Sequence, residues 1–214
     1  MVILPVLVMV VLLSVIRGQK VNGINDSKWL AVRSNSSEFI HTLPFPNSVF
    51  KYKFRGNETR DLFTLFEADY LDDGPGQHIH TREDELFHII DGNVQFFVNG
   101  EQFCGSTGDY VYVPRNVAQA IRIHNINNGT KPVRIQILLT PSGLEGFLDE
   151  VAPLYYTGQT NLTWQNEIAT KYGIINLAPV EWQDLGCFTA QSSSANRLTS
   201  YILSFISFVK NVLK

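Results

Sequence analysis

Two histidines separated by one residue, His78 and His80, are followed five residues later by Glu85, with Gly74 and Gly76 ahead of them and an apolar run behind. If His78-Ile79-His80 is a strand, its period-2 alternation sends both imidazoles to one face, and a turn through Thr81 to Asp84 can return Glu85 to that side. Two neutral imidazoles and a carboxylate are the donor set of sites that hold Fe(II) and leave coordination positions open. Spacing alone is met equally by two surface histidines at a strand edge, whose chemistry is ordinary titration in solvent.

A longer pattern surrounds these residues. The run from Gly74 to Gly92 resembles the first motif of the cupin family, G-x5-H-x-H-x3,4-E-x6-G, with His78, His80, Glu85 and Gly92 on its H, H, E and final G. Asp72 stands at the leading glycine, with Gly74 and Gly76 following. A second run, Gly108 to Ala120, is similar to the second motif, G-x5-P-x-G-x2-H. Gly108 and Pro114 match; Asn116 replaces the glycine, and Asn also visits left-handed turns. Gln119 replaces the histidine that would be the fourth ligand.

The resemblance implies an all-β fold, a double-stranded β-helix or jelly-roll barrel, with short C-terminal α-helices. It implies a divalent metal (iron, manganese, nickel, copper or zinc) held by His78, His80 and Glu85, with Gln119 as a weak or replaced fourth ligand. The phrases TPSGLEGFLDE and KYGIINLAP are similar to the tail of bacterial single-domain cupins likened to quercetin dioxygenases, so the resemblance runs roughly from Arg60 to Pro179. It implies a metal-dependent dioxygenase in which Glu85 could double as a base. The competing expectation is a non-catalytic small-molecule-binding or storage-like cupin, motivated by Gln119.

The elements that position these residues are short runs of strand character: 49–54, 62–68, 77–80, 85–90, 93–98, 102–104, 110–113, 118–124 and 133–140. Gly, Asn and Pro punctuate them, as in a sandwich or barrel. Asp91-Gly92 and Asn99-Gly100 read as tight hairpin turns. A turn pairing Ile90 with Asn93 sets Phe87 opposite Phe96 and Glu85 opposite Val98, so Phe87, Phe96, Val98 and Ile121 are expected to line an apolar pocket under the ligands. Gln119, Ile121 and Ile123 share one face, while Arg122 and His124 point away. His88 falls outside by the same parity, His41 reads as a surface histidine, and Arg82, Glu83 and Asp84 read as a solvated turn.

After Thr140 the apolar spacing becomes helical: Leu144, Phe147, Leu148 and Val151, then Trp164, Ile168 and Tyr172, with Gly173 closing the second helix. The organisation is then a signal peptide over 1–18, a lead-in wrapping the barrel over 19–59, the barrel over 60–140, a helical extension over 141–190 and a tail over 191–214.

Met1 to Ile16 is almost unbroken apolar sequence, short for a bilayer span and placed like a secretory signal cleaved after Gly18. N-x-S/T sequons at Asn25, Asn35, Asn57, Asn128 and Asn161 agree with export and predict glycosylated surface loops. Cys104 and Cys187 are an even pair, expected to form a disulfide worth about 4 kcal/mol that pins the C-terminal segment to the barrel; two free thiols is the other reading.

The tail, Ser192-Ser193-Ser194-Ala195 and then an apolar stretch from Tyr201, resembles a GPI-attachment signal but is interrupted by Lys210 and Lys214. An amphipathic helix is the favoured reading, with Leu198, Tyr201, Ile202, Phe205, Val209 and Val212 on one face. The protein is therefore expected to be secreted, or alternatively anchored at the cell surface.

Composition adds limits. The 214 residues carry 17 Lys and Arg against 20 Asp and Glu, with no basic cluster, so electrostatics give no case for nucleic acid. A small molecule is the expected partner; a homodimer and membrane association through the tail stay open.

Overall fold

The computed structural model describes residues 30–34, 38–42, 48–71, 73–123, 131–156 and 161–188. The chain divides into two units, 1–31 and 32–214, and the architecture below is that of the second. The signal segment, Asn25, Asn35, His124, Asn128 and the tail lie outside the described residues.

Burial alternates along β3 (Thr64–Tyr70), β5 (Asp84–Asp91) and β10 (Val133–Thr140), with mostly apolar residues on the buried side. A strand with that pattern has one face to bury, and two such faces packed together make a sandwich. Six strands form one antiparallel sheet in the order β1 (Glu38–Thr42), β2 (Ser48–Phe54), β3, β10, β5, β8 (Tyr110–Val113). Five form the other in the order β11 (Ile174–Asn176), β4 (His78–His80), β9 (Ala118–Arg122), β6 (Asn93–Val98), β7 (Glu101–Ser106). Three helices, α1 (Gly56–Thr59), α2 (Leu144–Tyr156) and α3 (Leu162–Lys171), complete the described elements. This is the all-β jelly roll with short C-terminal helices.

The core lies between the sheets. Phe66, Phe87, Ile89 and Ile137 from the larger sheet meet Val94, Phe96, Ile121 and Ile174 from the smaller one. Each such side chain contributes roughly 1.5–3 kcal/mol relative to an exposed one.

Several expectations are corrected. Asp91-Gly92 does not join a hairpin: β5 pairs with β10 and β8, and β6 pairs with β7 and β9, so the turn carries the chain from one sheet to the other. Phe87 and Phe96 still meet, as ring edges across the sandwich with centroids 5.5 Å apart. Turn chemistry specifies a reversal, and sheet closure decides which strands it joins. Asn99-Gly100 does form a hairpin, both residues at positive φ (52° and 89°) and Val98 opposite Glu101.

In α3, Trp164 is exposed and Ala169 is the residue buried inward, because a ten-residue helix over a sheet edge buries a narrower stripe than its apolar spacing suggests. Another correction concerns Glu83 and belongs with the site. Residues 38–59, within the lead-in, supply two strands and one helical turn to the larger sheet's side of the molecule. His41 lies on β1.

Candidate metal centre and ligand cavity

β4 is only three residues long, yet it is a central strand. β11 pairs on one side, with Ile174 opposite His80 and Asn176 opposite His78, and β9 on the other, with Gln119 opposite His78. Two neighbours fix the pleat, and the pleat fixes where both imidazoles point. The loop before β4 lies close against β9: a Cβ on Gly74 would come within 2.6 Å of the Ile121 carbonyl oxygen, so only glycine fits there. After β8, Asn116 takes φ 66°, and its amide donates to the His80 carbonyl at 2.7 Å. The left-handed turn expected of that asparagine is thus formed, and it ties the second motif to the first.

Glu85 comes from β5 in the opposite sheet, so the three donors converge across the sandwich. Nε2 of His78 lies 3.1 Å from Nε2 of His80, and the latter lies 3.2 Å from Oε2 of Glu85. The three side chains can each offer one ligand atom, all within 4.8 Å of one another. Donors on an ion at the usual 2.0–2.2 Å bond length are separated by about 3.0 Å at a right angle and about 3.4 Å at a tetrahedral angle. The two separations that involve His80 fall between those values and the third pair lies within 4.8 Å, so the donor set suits a divalent metal.

The electrostatics favour ligand character. Burial, with the neighbouring His80, pushes His78 down to about 4, and its Nδ1 contacts the Gly76 carbonyl at 2.8 Å. That contact makes Nδ1 the protonated nitrogen and leaves Nε2 as the lone-pair donor. For His80, burial opposes the charge, but the Glu85 and Glu83 carboxylates outweigh it and raise the pKa. For Glu85, burial works upward and is outweighed by His80, His78 and the Gln119 hydrogen bond, so the carboxyl stays below its ordinary range. A carboxylate held ionised in this way is a good ligand and a weaker proton acceptor than a free glutamate.

Gln119 is 3% exposed, and its Nε2 donates to Glu85 Oε2 at 2.5 Å. A carboxylate only accepts, so the amide nitrogen must face it, and Oε1 is left buried without a partner. Gln119 therefore orients Glu85, and its free oxygen is the atom that could serve a metal or a ligand.

Glu83 was expected in a solvated turn with Arg82 and Asp84. It is 2% exposed, with Oε2 facing His80 Nδ1 at 3.8 Å, and burial raises its pKa. Parity carried the signal: Glu83 lies two residues before Glu85 and so shares its inward face. Asp84 does stay at the surface side, where Arg115 holds its carboxyl down to about 2.

A cavity of about 660 Å³ adjoins the donors. Phe87, Gln119 and Ile121 are on its wall, together with Leu144, Phe147, Leu148 and Val151 of α2, the same apolar series the helical spacing picked out. Phe96 and Val98 do not line it. Phe96 is fully buried against Phe87 and stacks on Phe103, and Val98 packs against the core from β6. In the observed pairing both lie on β6 beside β9, with Phe96 opposite Ile121 and Val98 opposite Gln119, and not on the strand next to β5. His88 is outside the cavity and stacks on Tyr110 at 4.2 Å.

Cys104 and Cys187 form a disulfide, with Cα atoms 5.4 Å apart, joining β7 to the segment 177–188. Glu181 and Gln183 of that segment bond to Gln95 and Gln102, and Arg122 lies over the Trp182 ring at 5.2 Å. Leu177 and Pro179, at its start, are on the cavity wall.

Residues 72–140 match the family model described as the cupin domain. The similarity to the cupin domain lies in that stretch. It includes both motifs and every proposed ligand. Among curated proteins, the chain is 26% identical over 106 residues to acetate kinase EutQ of Clostridioides difficile (strain 630), covering 47% of this chain and 62% of that relative's length. Among solved structures, KdgF from Halomonas sp. is similar with a TM-score of 0.44 and 16% identity, covering 53% of this chain and 94% of that one. An RmlC-like cupin from Shewanella frigidimarina has a TM-score of 0.41 and 12% identity, covering 53% and 92%.

Proposed function

We propose that this protein is a secreted cupin glycoprotein that holds a divalent metal through His78, His80 and Glu85 and acts on a small organic molecule as a metal-dependent dioxygenase. The observation that carries the reading is the convergence of three donors, half-buried His78 with buried His80 and Glu85, at 3.1 and 3.2 Å on the wall of an apolar cavity. Bound there, a divalent ion would supply a Lewis acid beside the cavity. The chain's own residues do the rest. Gln119 fixes the Glu85 carboxylate, Gly76 fixes the His78 tautomer, and α2 roofs the chamber with apolar side chains that exclude water.

Asn57 and Asn161 are both exposed and so open to glycan attachment. Oδ1 of Asn161 accepts from the Thr163 amide at 2.8 Å, capping α3, while its Nδ2 is the atom a glycan would use.

A second reading, a non-catalytic binding cupin, is favoured by one observation: Gln119 donates to Glu85 where the motif would place a fourth imidazole ligand. Metal content of the purified full chain, native and His78→Ala, tests the first reading, followed by oxygen consumption with flavonols and diketones. Stoichiometric metal lost in the variant, with oxygen uptake, supports the dioxygenase. Metal without turnover favours the binder, and no metal under replete conditions sinks the dioxygenase. A mass shift on enzymatic deglycosylation of material collected from culture medium checks export.

A further inference from the structure

The wall of the cavity is uniform in one respect: outside His78, His80 and Glu85, no side chain on it carries a charge. Its other polar groups are neutral amides, Gln77, Gln119, Gln165, Asn166 and Asn176, and the phenol of Tyr70, which burial and the Glu85 charge keep protonated. No lysine or arginine is among the lining residues. Recognition of a carboxylate or phosphate relies on such cations, commonly a bidentate arginine, because an unpaired anion taken from water into an apolar chamber loses its hydration with nothing in return. Here the Glu85 carboxylate beside the chamber repels an anion, and His80, the imidazole that could carry a proton, is already paired with that carboxylate at 3.2 Å. A metal on the donors would pair one chelating head group, but nothing farther along the wall could pair a second charge.

The remaining surface is apolar and extended, with Phe50, Phe66, Phe147, Leu148, Ile174 and Leu177 around it, and its volume lies within the range that encloses a drug-sized molecule. At the polar end, Gln119 Oε1 is the buried acceptor without a partner. Its nitrogen is committed to Glu85, so the amide cannot turn over without placing oxygen against oxygen. The acceptor is therefore fixed in place, and it is satisfied only by a metal ion or by a hydrogen-bond donor brought in from outside.

We propose that the cavity binds an uncharged, predominantly aromatic or aliphatic molecule whose polar end carries a hydroxyl that donates to Gln119 Oε1. This rests on the reading of the cavity as a ligand chamber and deepens it by naming the ligand class; it does not depend on which metal is held. Gln119 is the residue that selects a free hydroxyl over its ether.

The test uses three molecules with one apolar body, 4-phenylphenol, 4-methoxybiphenyl and biphenyl-4-carboxylate. Their affinities are measured calorimetrically on the full chain stripped of metal, so the result stands apart from metal content. The phenol is expected to bind, the ether roughly threefold to tenfold more weakly for the loss of one hydrogen bond, and the carboxylate at least about tenfold more weakly. In Gln119→Leu the difference between phenol and ether disappears, and Leu148→Trp, which fills the chamber, loses all three. Equal affinity of phenol and ether in the native protein overturns the role of Gln119. A carboxylate that binds as tightly as the phenol overturns the uncharged class, and binding of none of the three overturns the chamber. If Gln119→Leu fails to fold, the phenol and ether comparison in the native protein still decides.

Discussion

Oε2 of Glu83 faces Nδ1 of His80 at 3.8 Å, and neither atom has a hydrogen-bond partner, though both are buried. A shift of about 1 Å closes a hydrogen bond of normal length. With its Nδ1–H held by a carboxylate, His80 presents Nε2 as a lone pair toward His78 and Glu85, the arrangement in which a second carboxylate orients a metal-binding imidazole. Glu83→Ala is expected to weaken metal affinity about tenfold to a hundredfold while leaving stoichiometry at saturation unchanged. Competition titration against a chelator reads this, and unchanged affinity would refute the role of Glu83.

Gln119 lies opposite His78 in register and contacts Glu85, so a side chain at this position reaches the donors from β9. Gln119→His supplies an imidazole where the amide stands. Metal affinity is expected to rise by at least about tenfold, since imidazole is the stronger donor to late divalent metals. The same competition titration measures it, and an affinity no higher than that of the native chain would mean that position 119 does not reach the ion.

The two histidines should divide the pH dependence of metal binding between them. His78, lowered to about 4, is already neutral through the physiological range, whereas His80 is raised above its ordinary 6.5 and must lose a proton to bind. Affinity is therefore full above the raised His80 pKa and falls as pH drops through it, by about tenfold per pH unit for one displaced proton. Calorimetry in buffers of different ionisation enthalpy counts that proton. Two protons released at pH 6 would contradict a neutral His78.

Asp69 joins β3 to both neighbours, contacting Lys51 on β2 at 2.5 Å and Arg134 on β10 at 3.0 Å. Burial would raise its pKa, but the two cations outweigh it and the pKa is lowered from 3.8. A depressed carboxylate contributes stability that is present above its unfolded pKa and lost as pH falls through the folded one. Because the partners are partly exposed, Asp69→Asn should cost about 1 kcal/mol near neutral pH. The difference from the native chain should shrink below pH 4, and urea denaturation at pH 7 and pH 3 compares the two.

The disulfide closes a separation of 83 residues. Cys187→Ser is expected to cost about 2–5 kcal/mol and to lower Tm, as would reduction of the native chain. Bonds from Gln95 and Gln102 to the strap remain, so the far-UV spectrum should persist at 20 °C. A Tm insensitive to reductant would show that the strap holds without the bond.

Sequence alone determined the residue chemistry. The donor set, the parity that turns Gln119 and Ile121 inward and His88 outward, the left-handed turn at Asn116 and the inner face of α2 are local properties, fixed by periods of 2 and 3.6 residues and by single-residue backbone preference. Glu83 was legible by the same parity but was outweighed by its charge, because a run of Arg82, Glu83 and Asp84 looks like a solvated turn. Tertiary structure decided what depends on distant partners. Strand pairing placed Asp91-Gly92 between sheets and moved Phe96 and Val98 off the cavity wall. β11 arrived about ninety residues after β4 to flank the histidine strand, and α2 supplied one apolar wall of the chamber. Alternation states which face a side chain takes, and only the closure of two sheets across a shared core states what that face meets.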